Sequence, residues 1–276
     1  MSRALLLLFL CLLGPGVALA ADELRFTRDG TEVKHIDLPT LMRTCPLTTI
    51  TVDDPQYGAT KHYRACPLAD VLALGFGAPV STLAGTDVSL RAWDGYNKTT
   101  DGTRLGEDGA YLAFGDADLS DGDHLRFAPI GDKKADPGPV YLVWTKPAQR
   151  DVNKYPWPYA LAEIEVADFM KTYPNAVPKV ARSTPAWLGF EIFRGECIAC
   201  HSINREGGKV GPDLNVPKSI VEYRPVDQIK QYIRDPTFFR YSNMPSHPDL
   251  QPEDLDGLIA YFRTMKGQKH DPGAKQ

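Results

Sequence analysis

Cys197-Ile198-Ala199-Cys200-His201 sets two thiols three positions apart and an imidazole directly after the second. Thiols at this spacing can each add to one vinyl group of a porphyrin, and the adjoining histidine then sits beneath the iron. The run therefore reads as a covalent attachment site for c-type haem. The same C-x-x-C spacing also serves redox dithiols and halves of zinc sites. A thioredoxin-like dithiol follows a strand, whereas Trp187 to Phe193, just ahead of the motif, is apolar at helical spacing. A structural zinc site needs a second Cys or His pair at ligand spacing, and none follows downstream.

The remaining cysteines divide by position. Cys11 falls in an apolar leader, and Cys45 and Cys66 each stand in an Arg-x-Cys-Pro-Leu context. In an oxidising compartment the expectation for this pair is a structural disulfide. The other chemistry open to it is a soft-metal site for copper, joined by Met42 or His62, because thiolate, thioether and imidazole suit that metal. His35, His62 and His124 share no metal spacing, and Asp116, Asp118, Asp121 and Asp123 read as a turn-forming acidic loop that misses the Ca²⁺-loop pattern. Trp93 and Tyr96 are expected to fill the core. No catalytic residue is assigned.

The elements that must position the motif are helical. Ser183 or Thr184 can cap a helix opening at Pro185, and that helix runs into the cysteines. Val226 to Arg234 and Leu255 to Met265 repeat the helical period, the first ended by Asp235-Pro236 and the second opened by Pro252-Glu253-Asp254. Ahead of them, Pro174, Pro178 and Pro185 interrupt both periodicities, so residues 171–183 read as a linker.

From residue 21 to 170 the pattern alternates instead. Leu24 to Leu38 reads as a hairpin turning at Asp29-Gly30, and further strands are expected at Ile50 to Val52, Val88 to Ala92, Tyr111 to Phe114, Leu125 to Phe127 and Val140 to Trp144. Pro67 to Gly75 reads as a short helix with glycine at its end. The fold class expected is multidomain: a strand-rich α+β domain over 21–170, then an all-α domain over 184–276.

The chain has 276 residues and a net charge of −4, which disfavours nucleic acid and anionic membranes as partners and suits a basic redox protein. Residues 1–20 have a basic start, an apolar stretch broken by Gly14-Pro15-Gly16, and Ala18-Leu19-Ala20. They read as a signal peptide cleaved near Ala20 and imply export to a periplasm with no transmembrane segment in the mature chain. Export also suits the motif, because haem c is attached outside the cytoplasm.

Two resemblances extend this reading. Gly189 and Phe193 before the cysteine motif, Gly211-Pro212-Asp213-Leu214, Met244-Pro245 and Leu258-Ile259-Ala260-Tyr261-Phe262 occur in that order. Over about residues 184–267 the chain thereby resembles class I cytochromes c. The resemblance implies one covalent haem on Cys197 and Cys200, iron held by His201 and Met244, and a Pro212 carbonyl that takes the His201 N–H. His247 stands three residues beyond Met244 as the other possible ligand. It also implies one-electron transfer, with Tyr261 and Phe190 or Phe193 at the crossing of first and last helices.

Tyr63 to Leu72, Trp93-Asp94-Gly95-Tyr96, Gly138 to Trp144 and Tyr155-Pro156-Trp157 resemble, by order, the sulfite-oxidase-type molybdopterin-binding fold over about residues 23–168. In that family a cysteine after an early strand ligates molybdenum. The corresponding stretch here is Val52-Asp53-Asp54-Pro55, and Arg64, Arg91 and Arg104 are scattered. The expectation is that fold without molybdopterin. The competing expectation is an oxidoreductase whose N-terminal domain holds molybdopterin or copper and passes electrons to the haem.

Overall fold

The computed structural model describes residues 23–119, 125–152 and 154–273. The signal-peptide expectation and His124 therefore lie outside the described residues, as do Asp121 and Asp123.

The N-terminal region is strand-rich, as its alternation requires. Strands β1 (Glu23–Arg28) and β2 (Thr31–Asp37) form the expected hairpin, and Asp29 and Gly30 both take positive φ, 46° and 77°. Two such residues make the turn whose twist matches the strands it joins. Asp37 then caps α1 (Leu38–Thr44) by accepting the Thr40 N–H at 2.7 Å. Next come β3 (Thr48–Asp54), β4 (Ala59–Pro67), α2 (Leu68–Phe76), β5 (Asp87–Ala92), β6 (Asn97–Asp101), α3 (Gly102–Leu105), β7 (Ala110–Asp116), β8 (Tyr141–Trp144) and β9 (Leu161–Val166). They build a five-stranded sheet in the order β2-β1-β9-β5-β6 and a four-stranded sheet in the order β3-β4-β7-β8. Within the first, β1 and β9 run parallel.

Three local expectations need correction. Helix α2 ends at Gly77, which takes φ +66°, and not at Gly75. Gly75 is instead a packing residue, since a Cβ there would lie 2.2 Å from the ring of Phe26 on β1. Leu125 to Phe127 form no strand, although the Arg126 carbonyl accepts the Asp116 N–H at 2.8 Å. Trp93 is 38% exposed, because the tight connection from β5 to β6 puts it on the surface and not in the core.

A second core belongs to the helical region: α4 (Phe169–Thr172), α5 (Pro185–Ile192), the two-residue strands β10 (Ser202–Ile203) and β11 (Glu206–Gly207), α6 (Ile220–Tyr223), α7 (Val226–Arg234) and α8 (Pro252–Lys266). Thr184 caps α5, accepting from Trp187 N at 3.3 Å. Helix α5 crosses α8 at Gly189 and Gly257, where Phe190 and Phe193 pack on Tyr261 with ring centroids 5.9 and 5.3 Å apart. Phe169, Tyr173 and Ala176 are buried in this core, so it begins before the proline-rich segment ends. The Tyr261 hydroxyl donates to the Ala176 carbonyl at 2.7 Å.

Candidate haem site

The cysteine motif sits where α5 gives way to a wider turn. Over Phe193–Cys197 the backbone is π-helical, and Ile198 N donates to Phe193 O at 2.9 Å. Single π turns of this kind occur mostly inside longer helices and often at functional sites. The chain then closes on itself, with both Cys200 N and His201 N donating to Cys197 O at 3.1 and 2.9 Å. This tight turn holds Cys197, Cys200 and His201 together at the end of one helix.

A loop from β11 wraps the motif. Gly208 N donates to Ile198 O at 2.8 Å and Gly211 N to Cys200 O at 2.7 Å. The Pro212 carbonyl lies 2.9 Å from His201 Nδ1. A proton on Nδ1 makes that bond, so the lone pair of Nε2 is left for a metal, and the ring is held in one orientation. Gly211 makes the approach possible, because a Cβ there would come 2.5 Å from His201 Cε1. The loop is itself anchored to α8: the buried Asn215 donates to Asn204 Oδ1 at 2.8 Å and to Met265 O at 2.7 Å.

We expect Gly211→Ala to turn the His201 ring off the Pro212 carbonyl. The measurement is the absorption spectrum of the purified protein, and a spectrum identical to wild type would show that the ring does not depend on this glycine.

The thiols are poorly suited to disulfide exchange. Burial pushes the Cys197 thiol up to about 12, and burial followed by the charge of Asp94 raises that of Cys200. Exchange needs the thiolate, which reactive C-x-x-C pairs stabilise by lowering the pKa. Burial likewise lowers the pKa of His201, against the Pro212 carbonyl and Asp213, and so favours the neutral imidazole that binds metals.

Met244 is half-buried against the second core. Its N–H donates to Ser242 Oγ at 3.1 Å, and Ser242 in turn pairs with the hydroxyl of Tyr232 on α7 at 3.1 Å. His247 is buried, hydrogen-bonds Ile233 O through its backbone N–H at 3.1 Å, and turns Nδ1 toward Glu196 at 4.0 Å. Met265 packs inside the core at 1% exposure.

Residues 186–266 match the family model for cytochrome c. This segment is a cytochrome c domain. Such a domain implies haem-based electron transfer, and the donor set just described fits the group: two thiols beside one imidazole whose second nitrogen is occupied. Over 91 residues the chain is also 33% identical to cytochrome c oxidase subunit 2 of Alkalihalophilus pseudofirmus, a match covering 30% of this chain and 26% of that protein. The chain thus spans about a quarter of that relative.

The other candidate residues are dispersed through the N-terminal region. The sulfurs of Cys45 and Cys66 meet in a bond between the end of α1 and the end of β4, with Cα atoms 6.1 Å apart. His62 pairs with Asp118 at 3.0 Å. Among the described residues no group of three or more His, Cys, Asp or Glu side chains converges as a metal site. Asp54 is fully buried and accepts from Tyr63 at 2.8 Å, Tyr141 at 3.2 Å and Gln56 N at 2.7 Å. Burial raises its pKa against those bonds. No helix among the described residues is long and apolar enough to cross a membrane.

Sequence reasoning did not find the part that the N-terminal domain plays in the site. The connection between β5 and β6 lies on the motif, with Asn97 N donating to Ala199 O at 2.8 Å and Lys209 N to Gly95 O at 2.9 Å. No local pattern could have revealed bonds across about a hundred residues of chain.

Proposed function

We propose that this protein is an exported one-electron carrier, with a single haem bound covalently through Cys197 and Cys200 and iron ligated by His201 and Met244. The observation that carries the reading is the His201 geometry: its Nδ1 is engaged by Pro212, beside two thiols on the same turn. A haem held by these residues would have no vacant position for a substrate and would supply one-electron exchange. The chain's contribution is positional. The turn after α5 presents the thiols, the Pro212 loop orients the imidazole, and the Tyr232–Ser242 contact holds the segment that carries Met244. A thioether at the sixth position raises the potential.

The N-terminal domain, in this proposal, is a sulfite-oxidase-type fold that has lost its molybdenum. What supports this reading is that the stretch Val52 to Pro55, which by the order of motifs would hold the ligating cysteine, carries no thiol, and that its Asp54 carboxyl accepts from two tyrosines. Elemental analysis of the holoprotein tests the point. One iron per chain is the expected result, and stoichiometric molybdenum or copper would make the protein an oxidoreductase with an internal electron acceptor.

Met244→Ala removes the proposed sixth ligand. The expected result is a fall in reduction potential of more than about 60 mV, a tenfold change in a one-electron equilibrium, together with binding of carbon monoxide to the reduced protein. An unchanged potential would assign the sixth position to another group, His247 first.

A further inference from the structure

The side of the cysteine motif met by the N-terminal domain holds a buried cation. Lys98, on β6, is 8% exposed, and its ammonium donates to the carbonyl of Gly195, two residues before Cys197. It lies within electrostatic reach of both Cys197 and Cys200. The contact is built from several directions. Asn97 N bonds Ala199 O, Gly95 O receives Lys209 N, and Gly95 takes φ +93°, a backbone angle that favours glycine, with a Cβ there falling 3.0 Å from Lys209 Cβ. Arg194, one residue before Gly195, reaches Asp87 on β5 at 2.9 Å and stacks over Phe169 at 4.6 Å. The domains are thus held in register at the haem-attachment turn.

We propose that the β5–β6 turn is part of the haem site, and that Lys98 supplies a buried positive charge beside the attachment cysteines which raises the reduction potential of the haem. The inference rests on the haem reading above. Its physical basis is the sign and depth of the charge. A cation stabilises the reduced, less positive iron, and it acts more strongly from a dry position than from water. Among the opposing charges are Glu196, whose side chain is 27% exposed, and Asp94, which is exposed at the tip of the turn. Solvent screens both more than it screens Lys98. Burial lowers the pKa of Lys98, and the Glu196 carboxylate opposes that shift.

The test is redox titration of the full holoprotein and of two variants with opposite expected signs. Lys98→Met keeps the apolar stem and removes the charge, and should shift the ferric–ferrous equilibrium several-fold toward the oxidised form. Glu196→Gln removes the opposing charge and should shift it the other way by a smaller factor. A loosened interface would admit water and lower the potential in both variants, so a shift of the same sign in both overturns the proposal. No shift in either also overturns it, as does a Lys98→Met protein that fails to mature haem while Glu196→Gln keeps the wild-type potential. Absence of the haem spectrum from the wild-type protein would instead refute the haem reading itself.

Discussion

Replacing Cys197 and Cys200 together with alanine is expected to abolish covalent haem retention. Wild-type protein matured with haem attachment intact should keep its haem through denaturation and organic extraction, because thioether bonds do not depend on the fold. The double variant has no sulfur with which to form them, so any haem it binds is held only by non-covalent contacts and the proposed His201 and Met244 ligands, and denaturation releases all of it. Each single variant retains one bond and should keep haem with an altered absorption spectrum. Haem staining after denaturing electrophoresis reads all three proteins. A double variant that stains like wild type would end the attachment assignment. The thiol environment agrees with this assignment, since burial raises both thiols and so disfavours the thiolate that disulfide exchange uses.

The largest effect on stability is expected from Gly189. A Cβ at this position would come within 1.9 Å of the Gly257 carbonyl oxygen and 2.7 Å of Leu258 N. Both are backbone atoms of α8, so no side chain can rotate away and the helices must separate. That separation would loosen the stack of Phe190 and Phe193 on the buried Tyr261, and with it the helix that delivers the cysteines. Overpacking a core usually costs about 1–3 kcal/mol. A backbone-on-backbone clash belongs at the upper end, so Gly189→Ala should lower the melting midpoint of the helical domain by more than about 10 °C. Thermal unfolding followed by circular dichroism measures it. Gly195→Ala is the control, since a Cβ there meets nothing within 4 Å. Equal midpoints for the two variants would show that the crossing tolerates a wider separation.

Much of the helical domain was legible because its signals are local. Pro185 and Pro252 mark helix starts, Asp235-Pro236 marks a helix end, and the spacing of Leu258, Ile259 and Phe262 is that of a buried helix face. The hairpin at Asp29-Gly30 was legible for the same reason, because two positive φ angles in sequence favour this pair. Legibility failed where a residue's role is set by a distant partner. Gly75 looked like a helix end and proved to be the place where α2 rests on Phe26. Trp93 looked like core and lies at the surface. Leu125 to Phe127 alternates like a strand but pairs too little to become one.

The haem site divides along the same line. Cys-x-x-Cys-His is contiguous, so sequence alone determined which sulfurs and which imidazole come together: bond lengths and a single turn leave them nowhere else to go. Tertiary structure decided what surrounds them. The Pro212 carbonyl on His201, eleven residues along the chain, was implied by the resemblance, whereas the bonds from Asn97 and Lys98 to the attachment turn and from Lys209 to Gly95 join residues about a hundred apart. Such contacts form only after two cores have condensed and met, and hydrogen bonds between unrelated loops leave no periodicity for a sequence to display.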